Sequence, residues 1–306
     1  METEDYCAFC EAQGLKSIKT KNVWWHKVGS GAYGTTPEAM PVQVEDRDIQ
    51  EMFWKHRVAV LRVVEAPEKI QRDTELWHRY VCRDTSFGLH SLSQKARNQT
   101  RRGLEKCTVR LIDFGFLGRE GVIINQSALA RQKRTGSPSF CQPERWARSM
   151  KIQGQFADVL AFGAFIDDLD SLFCAYLTVI KVEDEWLIYL QMSHDVGLKY
   201  YCNNALYFYV FRYLFDEMKA KVINIGLEPF VPLPDLTHFK INMGFRKEPI
   251  RHRLLLHPLL KTVINRYSLP YLTKCSNLLN IMGFISQNKL EHMQNILNYL
   301  NKSKIK

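Results

Sequence analysis

No uncharged apolar run of about 18 residues occurs in this 306-residue chain, which excludes an evident membrane-spanning helix. Its richest apolar region, residues 158–192, is broken by "DDLD" and "KVEDE". The opening "METEDYCAFCEAQG" has neither the basic nor the apolar block of a secretion signal, so the expectation is a cytoplasmic chain with no membrane span. Eight cysteines are scattered without a small-domain framework, and reduced thiols are expected. Cys7 and Cys10 form a lone CxxC with no second pair. A four-ligand zinc site would have to recruit distant groups such as His26, so no metal is expected. A G-x-G-x-x-G spacing at Gly29, Gly31 and Gly34 leads into "TTPEAMPV". Its two prolines stand where a dinucleotide-binding helix would start, so the segment reads as a loop. No internal repeat is visible.

Positive charge is abundant and uneven. The chain carries 42 Lys and Arg against 32 Asp and Glu, a net charge of +10. Between Ser91 and Lys151 there are 13 basic and 4 acidic residues, so nearly all of the excess lies in one fifth of the chain. Such a local surplus points to an anionic partner. Its densest part, "SLSQKARNQTRRGLEKC", reads as a helix capped by Ser91 or Ser93, with Gly103 near its end suggesting a break. Lys95, Arg97, Arg101 and Arg102 are its candidate anion-binding residues, because the planar guanidinium fork suits phosphates and carboxylates. Arg131, Lys133 and Arg134 extend the basic run. The alternative is internal pairing of the arginines with Asp84, Asp113 or Glu228.

The fold class expected is α/β (α+β). "RVAVLRVVE" has strand character, "TELWHRYVC" fits strand or helix, and "CTVRLIDF" is a strand. "DVLAFGAFI", "SLFCAYLTVIKV" and "WLIYLQMS", separated by short turns, form an antiparallel meander. The aromatic helix "ALYFYVFRYLFDEMKA" then leads to the strand "KVINIGL", which requires one parallel crossover. The loop at residues 135–143 suggests a boundary. The expected divisions are an N-terminal half with the basic helix (1–140), a core (141–262) and a helical tail (263–306). Leu290, Met293, Leu297 and Leu300 form an apolar stripe in that tail.

The meander, the helix introduced by "GLKYYCNNAL", the strand "KVINIGL" and the element "HFKINMGF" together resemble the GNAT superfamily of acyltransferases. "LSQKARNQTRRGLEKCTVRLID" resembles the "LSKKTRNNIRRA"-style helix of the Fem-type branch, which includes the peptidoglycan-bridge aminoacyltransferases. The resemblance spans roughly residues 77–258. It implies a GNAT-like mixed sheet, two GNAT-like halves, and direct attack of an amine on a thioester or aminoacyl ester. The acyl group would lie in a gap beside Leu190, Gln191, Met192 and Ser193. The first turn of the aromatic helix, with Asn203 and Asn204, would bind the carrier's phosphates.

Two positions depart from the pattern. An Arg/Gln-x-x-Gly-x-Gly/Ala loop is typical of acetyl-CoA users, whereas "GLKYYCNN" has one glycine. Lys240 stands where many relatives have a tyrosine acid. The implied role for Lys240 is proton donation or oxyanion stabilisation, the alternative being a surface lysine lying over Phe239. Glu228 and His194 are further candidate bases.

Acyl-CoA is the expected donor, and a small or peptide-like amine the acceptor. Aminoacyl-tRNA is the alternative donor, suited to the positive charge. A non-catalytic anion-binding shell is the alternative of another class.

Overall fold

The computed structural model describes residues 1–29, 31–67, 77–133, 137–229 and 233–263. The apolar stripe from Leu290 to Leu300, and Arg134, lie outside them. In chain order, the helices are α1 (Thr3–Ala12), α2 (Asp46–Gln50, continued by a π-helical turn, Glu51–Lys55), α3 (Gln94–Lys106), α4 (Phe114–Arg131), α5 (Pro138–Cys141), α6 (Pro143–Gln153), α7 (Asp195–Lys199), α8 (Cys202–Asp216), α9 (Pro234–Asn242) and α10 (Pro258–Val263). The strands are β1 (Ser17–Lys19), β2 (Trp24–Gly29), β3 (Ala32–Thr36), β4 (Val60–Glu65), β5 (Trp77–Cys82), β6 (Cys107–Ile112), β7 (Val159–Ile166), β8 (Leu172–Val182), β9 (Glu185–Ser193), β10 (Val222–Leu227) and β11 (Arg246–Leu256).

Two compact units divide the chain. The first comprises the described residues of Met1–Ser17, Trp77–Leu227 and Pro234–Pro249, and the second takes the remaining described residues. The change of unit near residue 77 falls well before the expected boundary at 141.

In the first unit the strand order is β6-β7-β8-β9-β10-β5. The meander β7-β8-β9 is antiparallel, as the short turns require. α8 then carries the chain over to β10, which lies parallel to β9. One face of this sheet is covered by α3 and α8, whose Ala96, Leu206, Val210, Phe211 and Leu214 join Phe162, Leu177 and Ile223 in a continuous core. The other face is covered by α4 and α6, through Leu117, Val122, Ile124, Trp146 and Met150 against Ala161 and Tyr176.

Ser93 caps α3, its Oγ accepting from Ala96 N at 3.3 Å. Gly103 does not break the helix. It lies buried within α3, where a Cβ would stand 2.7 Å from Tyr201 O and 3.1 Å from Ala205 Cβ, so its missing side chain is what lets α3 approach the start of α8.

In the second unit the order is β11-β4-β3-β2-β1. The "GSGAYG" stretch is not a plain loop, because β2 and β3 form an antiparallel hairpin through it. β3 then pairs parallel with β4. Trp25, Met52, Phe53, Leu61 and Val63 fill the core of this unit.

Candidate active site

The central feature of the first unit is the seam between β9 and β10. Their parallel register covers three pairs, Val222 with Glu185, Ile223 with Trp186 and Asn224 with Leu187, and then stops. Both strands change character there. Glu185–Leu187 and Val222–Asn224 are buried, whereas Ile188–Met192 and Ile225–Leu227 are half-exposed.

Two local devices end the pairing. On β10, the Asn224 side chain turns back along its own strand and accepts from Gly226 N at 2.8 Å. Gly226 adopts φ +91°, a conformation that glycine takes at no steric cost, and the register with β5 shifts at this point. On β9, the register with β8 slips between Thr178 and Val179, leaving Tyr189 as the extra residue. Thr178 Oγ1 accepts from Leu190 N at 3.1 Å there. Since N–H groups alternate direction along a strand, some amides of Ile188–Ser193 point into the unpaired side.

The paired end of the seam is locked by buried charge. Arg79, 6% exposed, donates from one guanidinium nitrogen to both carboxylate oxygens of Glu185, at 2.9 and 3.0 Å. Glu185 also accepts from Asn224 Nδ2 at 3.0 Å. The rest of the Arg79 fork holds Glu248 at 2.9 and 3.1 Å, and Glu248 receives Arg83 as well. The Arg83 hydrogen bond, assisted by the charges of Arg79 and Arg83, draws the Glu248 carboxyl below its ordinary range. Neither Arg79, Glu185, Asn224 nor Gly226 figured among the expected site residues. The available signal was a glycine inside a strand pattern, a mark of a bulge.

The expected site residues fall into three groups. The first surrounds the start of α8. Gln191 Nε2 donates to Asn203 Oδ1 at 2.8 Å, tying β9 to the first turn of the helix. Asn204 is buried and its amide reaches Met243 Sδ at 3.4 Å. Lys240 is not a surface lysine over Phe239. It is 5% exposed, and its Nζ stands 4.3 Å from the centroid of Tyr80 on β5. Tyr80 belongs to the core that includes α8, and Phe239 stacks edge-on against Tyr207 of that helix. Gln191, Asn203, Asn204 and Lys240 therefore share the α8 side of the sheet.

The second group lies on the opposite side. His194 caps α7, its Nδ1 accepting from Val196 N at 3.2 Å, and lines a 460 Å³ cavity with Phe116 of α4, Phe165 and Phe173. Met192 packs against the α4 layer. Ser193 is buried, and its carbonyl accepts from Arg131 at 3.2 Å. The structure thus separates His194 from Lys240. Glu228 comes directly after β10, is half-buried and is grouped with the second unit.

The third group is the basic helix. Arg97 does not point to an outside anion. Its guanidinium donates to Leu89 O at 2.9 Å and Leu92 O at 3.2 Å, clamping the segment before α3. Asp84 accepts from Ser86 and Ser91, and Asp113 caps α4 by accepting from Phe116 N, so neither serves as the partner of these arginines. Arg131 is also engaged, with Asp195 and the Ser193 carbonyl. Lys95, Arg101 and Arg102 are exposed and have no partner among the described residues. At 100° per residue, Lys95 and Arg102 fall on one flank of α3 and Arg101 on the other. Gly103 places the Arg102 turn beside Tyr201, which precedes α8 with φ +54°.

A meander, a crossover helix and a parallel pair that opens after a bulge define a Fem/GNAT-like fold. No family model matches the chain, and no curated protein matches it. Solved structures do. The chain is similar to FemX at 9% identity and TM-score 0.59, over 84% of this chain and 92% of that one. It is similar to the C-terminal domain assigned to a lysylphosphatidylglycerol synthetase in Agrobacterium fabrum at 15% identity and TM-score 0.55, over 85% and 90%. L-PGS from Bacillus licheniformis matches at 14% identity and TM-score 0.55, over 83% and 92%. At these identities the likeness establishes the fold alone.

Proposed function

We propose that the protein is an acyl- or aminoacyltransferase that joins a carried acyl group to an amine at the β9–β10 seam. The carrying observation is the end of strand pairing at Asn224 and Leu187, which leaves half-exposed backbone on β9 where a carbonyl can be held. In the reaction, the neutral amine attacks the carbonyl carbon. Negative charge grows on the oxygen, and the β9 amides that face away from β8, past the end of the β10 pairing, are the donors suited to stabilise it. The ester or thioester bond then breaks, and the carrier leaves with a proton. Lys240, held over Tyr80 on the α8 side of the sheet, is the group assigned to the developing charge or to that proton.

For the donor, two observations favour an aminoacyl ester on tRNA over an acyl-CoA. The chain before α8 presents Tyr201 rather than the glycines that let a pyrophosphate approach closely. Lys95, Arg101 and Arg102, on the neighbouring helix, are exposed cations without a partner among the described residues. The likeness to FemX, taken with the Fem-type resemblance of the basic helix, supports the same choice. Acyl-CoA, the donor expected from the wider superfamily, is the competing assignment.

The deciding experiment measures thermal stabilisation by acyl-CoA esters beside binding of aminoacylated and uncharged tRNA across a salt series. Salt-sensitive tRNA binding with no stabilisation by CoA esters supports the tRNA reading, and the converse supports acyl-CoA. Absence of both, with no amide formed from either donor, removes the transferase assignment. Lys240→Ala is expected to lower turnover about a hundredfold while leaving donor binding within roughly twofold. Unchanged turnover takes Lys240 out of the site.

A further inference from the structure

Three of the cysteines scattered through the sequence converge in the fold. Cys107 is the first residue of β6, Cys174 lies in β8, and Cys202 is the first residue of α8. Cys202 Sγ lies 2.9 Å from Cys174 Sγ and 3.1 Å from Cys107 Sγ. All three are buried, with Cys107 the least enclosed at 3% exposure. Cys174 Sγ also contacts Ala164 O at 3.3 Å, and Cys107 Sγ faces Tyr200 O at 3.9 Å.

The spacing distinguishes between two kinds of chemistry. Zinc–sulfur bonds of about 2.3 Å put the sulfurs of a tetrahedral site roughly 3.7 Å apart. These sulfurs are closer than that, and among the described residues no group of three His, Cys, Asp or Glu is arranged to hold a metal. The approach is instead toward sulfur–sulfur bonding, which needs a further closure of about 1 Å to reach roughly 2.05 Å. Buried thiols are ordinarily inert because the thiolate is the reactive form. Here Cys174 donates to Cys202 Sγ and Cys202 adjoins Cys107 Sγ, and hydrogen bonding within this trio lowers the Cys107 pKa and raises those of Cys174 and Cys202.

We propose that Cys107, Cys174 and Cys202 form an oxidant-sensitive modification site, in which a peroxide joins Cys107 to Cys202 while Cys174 remains a thiol able to exchange into the bond. The Cys107 thiolate attacks one peroxide oxygen. The O–O bond breaks, and the departing hydroxide takes a proton to become water, leaving Cys107 as a sulfenic acid. Cys202 sulfur then attacks Cys107 sulfur. The S–O bond breaks, and the second hydroxide leaves as water with the Cys202 proton. Two thiols lose two electrons and two hydrogens, and one peroxide becomes two waters. The central place of Cys202, in reach of both neighbours, gives Cys174 an exchange route through attack on the new bond.

The crosslink stands whether or not the transferase reading holds. Taken together with that reading, it fixes the first residue of α8 against β6 and so alters donor binding at that turn.

The test treats the full chain with dilute hydrogen peroxide, blocks remaining thiols under denaturing conditions, and reads intact mass and linked peptides. Loss of two hydrogens, with Cys107 and Cys202 in one linked peptide pair, is expected. Cys174→Ala should retain this link, and Cys202→Ala should abolish it. Should either variant fail to fold, the wild-type peptide map still decides. All three thiols blocked after oxidation, a link that excludes Cys202, or a stoichiometric thiophilic metal with no link would each overturn the proposal.

Discussion

The molecule contains two parallel seams of equal length with opposite fates. In the first unit β9 and β10 pair over three residues, and the side chains beyond them pass from buried to half-exposed. In the second unit β3 and β4 also pair over three residues, Ala32 with Val60, Tyr33 with Leu61 and Gly34 with Arg62. Beyond that point, however, Thr35, Thr36, Val63, Val64 and Glu65 are all buried. Val42 N reaches Val64 O at 3.0 Å, and Thr35 Oγ1 accepts from Val64 N at 3.1 Å, so chain and side chains occupy the place where a gap would be.

Polar groups complete the plug. His26 meets Thr36 Oγ1 at 2.6 Å, and Arg62 donates to His252 at 3.0 Å and to Glu38 at 3.0 Å. The cavity lined by His26, Glu38 and Arg62 holds only about 10 Å³. The crossovers differ as well: 15 residues of regular helix in α8 against a five-residue helix and a π turn. An interrupted parallel pair is therefore insufficient for a site. The residues just past the interruption decide whether the parted strands stay covered or come half-exposed.

The strongest way to break this contrast is at the locked end of the first seam. Glu185→Ala leaves Arg79 buried without that carboxylate and frees Asn224, and should cost about 3–5 kcal/mol in chemical denaturation, with loss of transfer activity. A cost under about 1 kcal/mol would show that the lock does not hold the seam. In the second seam, Arg62→Ala should cost less, about 1–2 kcal/mol, and leave turnover unchanged at temperatures where the protein is folded. Lost turnover there would mean that the second unit takes part in chemistry.

Acid should act on the second seam first. Burial, reinforced by the Arg62 charge, pushes the His252 pKa down to about 3 from its ordinary 6.5. Because the folded pKa is depressed, the neutral ring's contribution is complete above about pH 6.5 and is lost progressively as pH falls toward 3. Burial lowers His26 in the same direction. Melting temperature should therefore decline between pH 6.5 and about 4.5, before carboxylates titrate, and His252→Asn should flatten that decline. The smallest effect belongs to the exposed cations. Arg101→Gln with Arg102→Gln should leave stability within about 0.5 kcal/mol and reduce the salt slope of tRNA binding by about one to two.

Much of the first unit could be read from residue order. Short acidic turns punctuate the meander, the aromatic rings of α8 recur at helical spacing, and Ser93 stands where a cap is needed. The hairpin through Gly29–Gly34 was hidden because glycine spacing looks alike in loops and tight strand connections. α4 was hidden because Gly115, Gly118 and Gly121 blur its apolar period. The site was less legible than the fold. Arg97 is spent on two carbonyls, partners that no residue letter announces. Lys240 has a polar letter and a buried place, and only the tertiary contact with Tyr80 reconciles them. His194 directly follows β9 and Lys240 lies in α9 between β10 and β11, and nothing in that order announces that the sheet stands between them.

The turn that Asn224 makes with Gly226 has a consequence for any arriving ligand. One amide is bonded simultaneously to its own strand and to Glu185, so the divergence belongs to the resting backbone and needs no prying apart. On the transferase reading, a donor would meet strands already parted there, and little of its affinity would be spent on ordering the host. Such a protein should discriminate among donors by fit rather than by how forcefully each one remodels it.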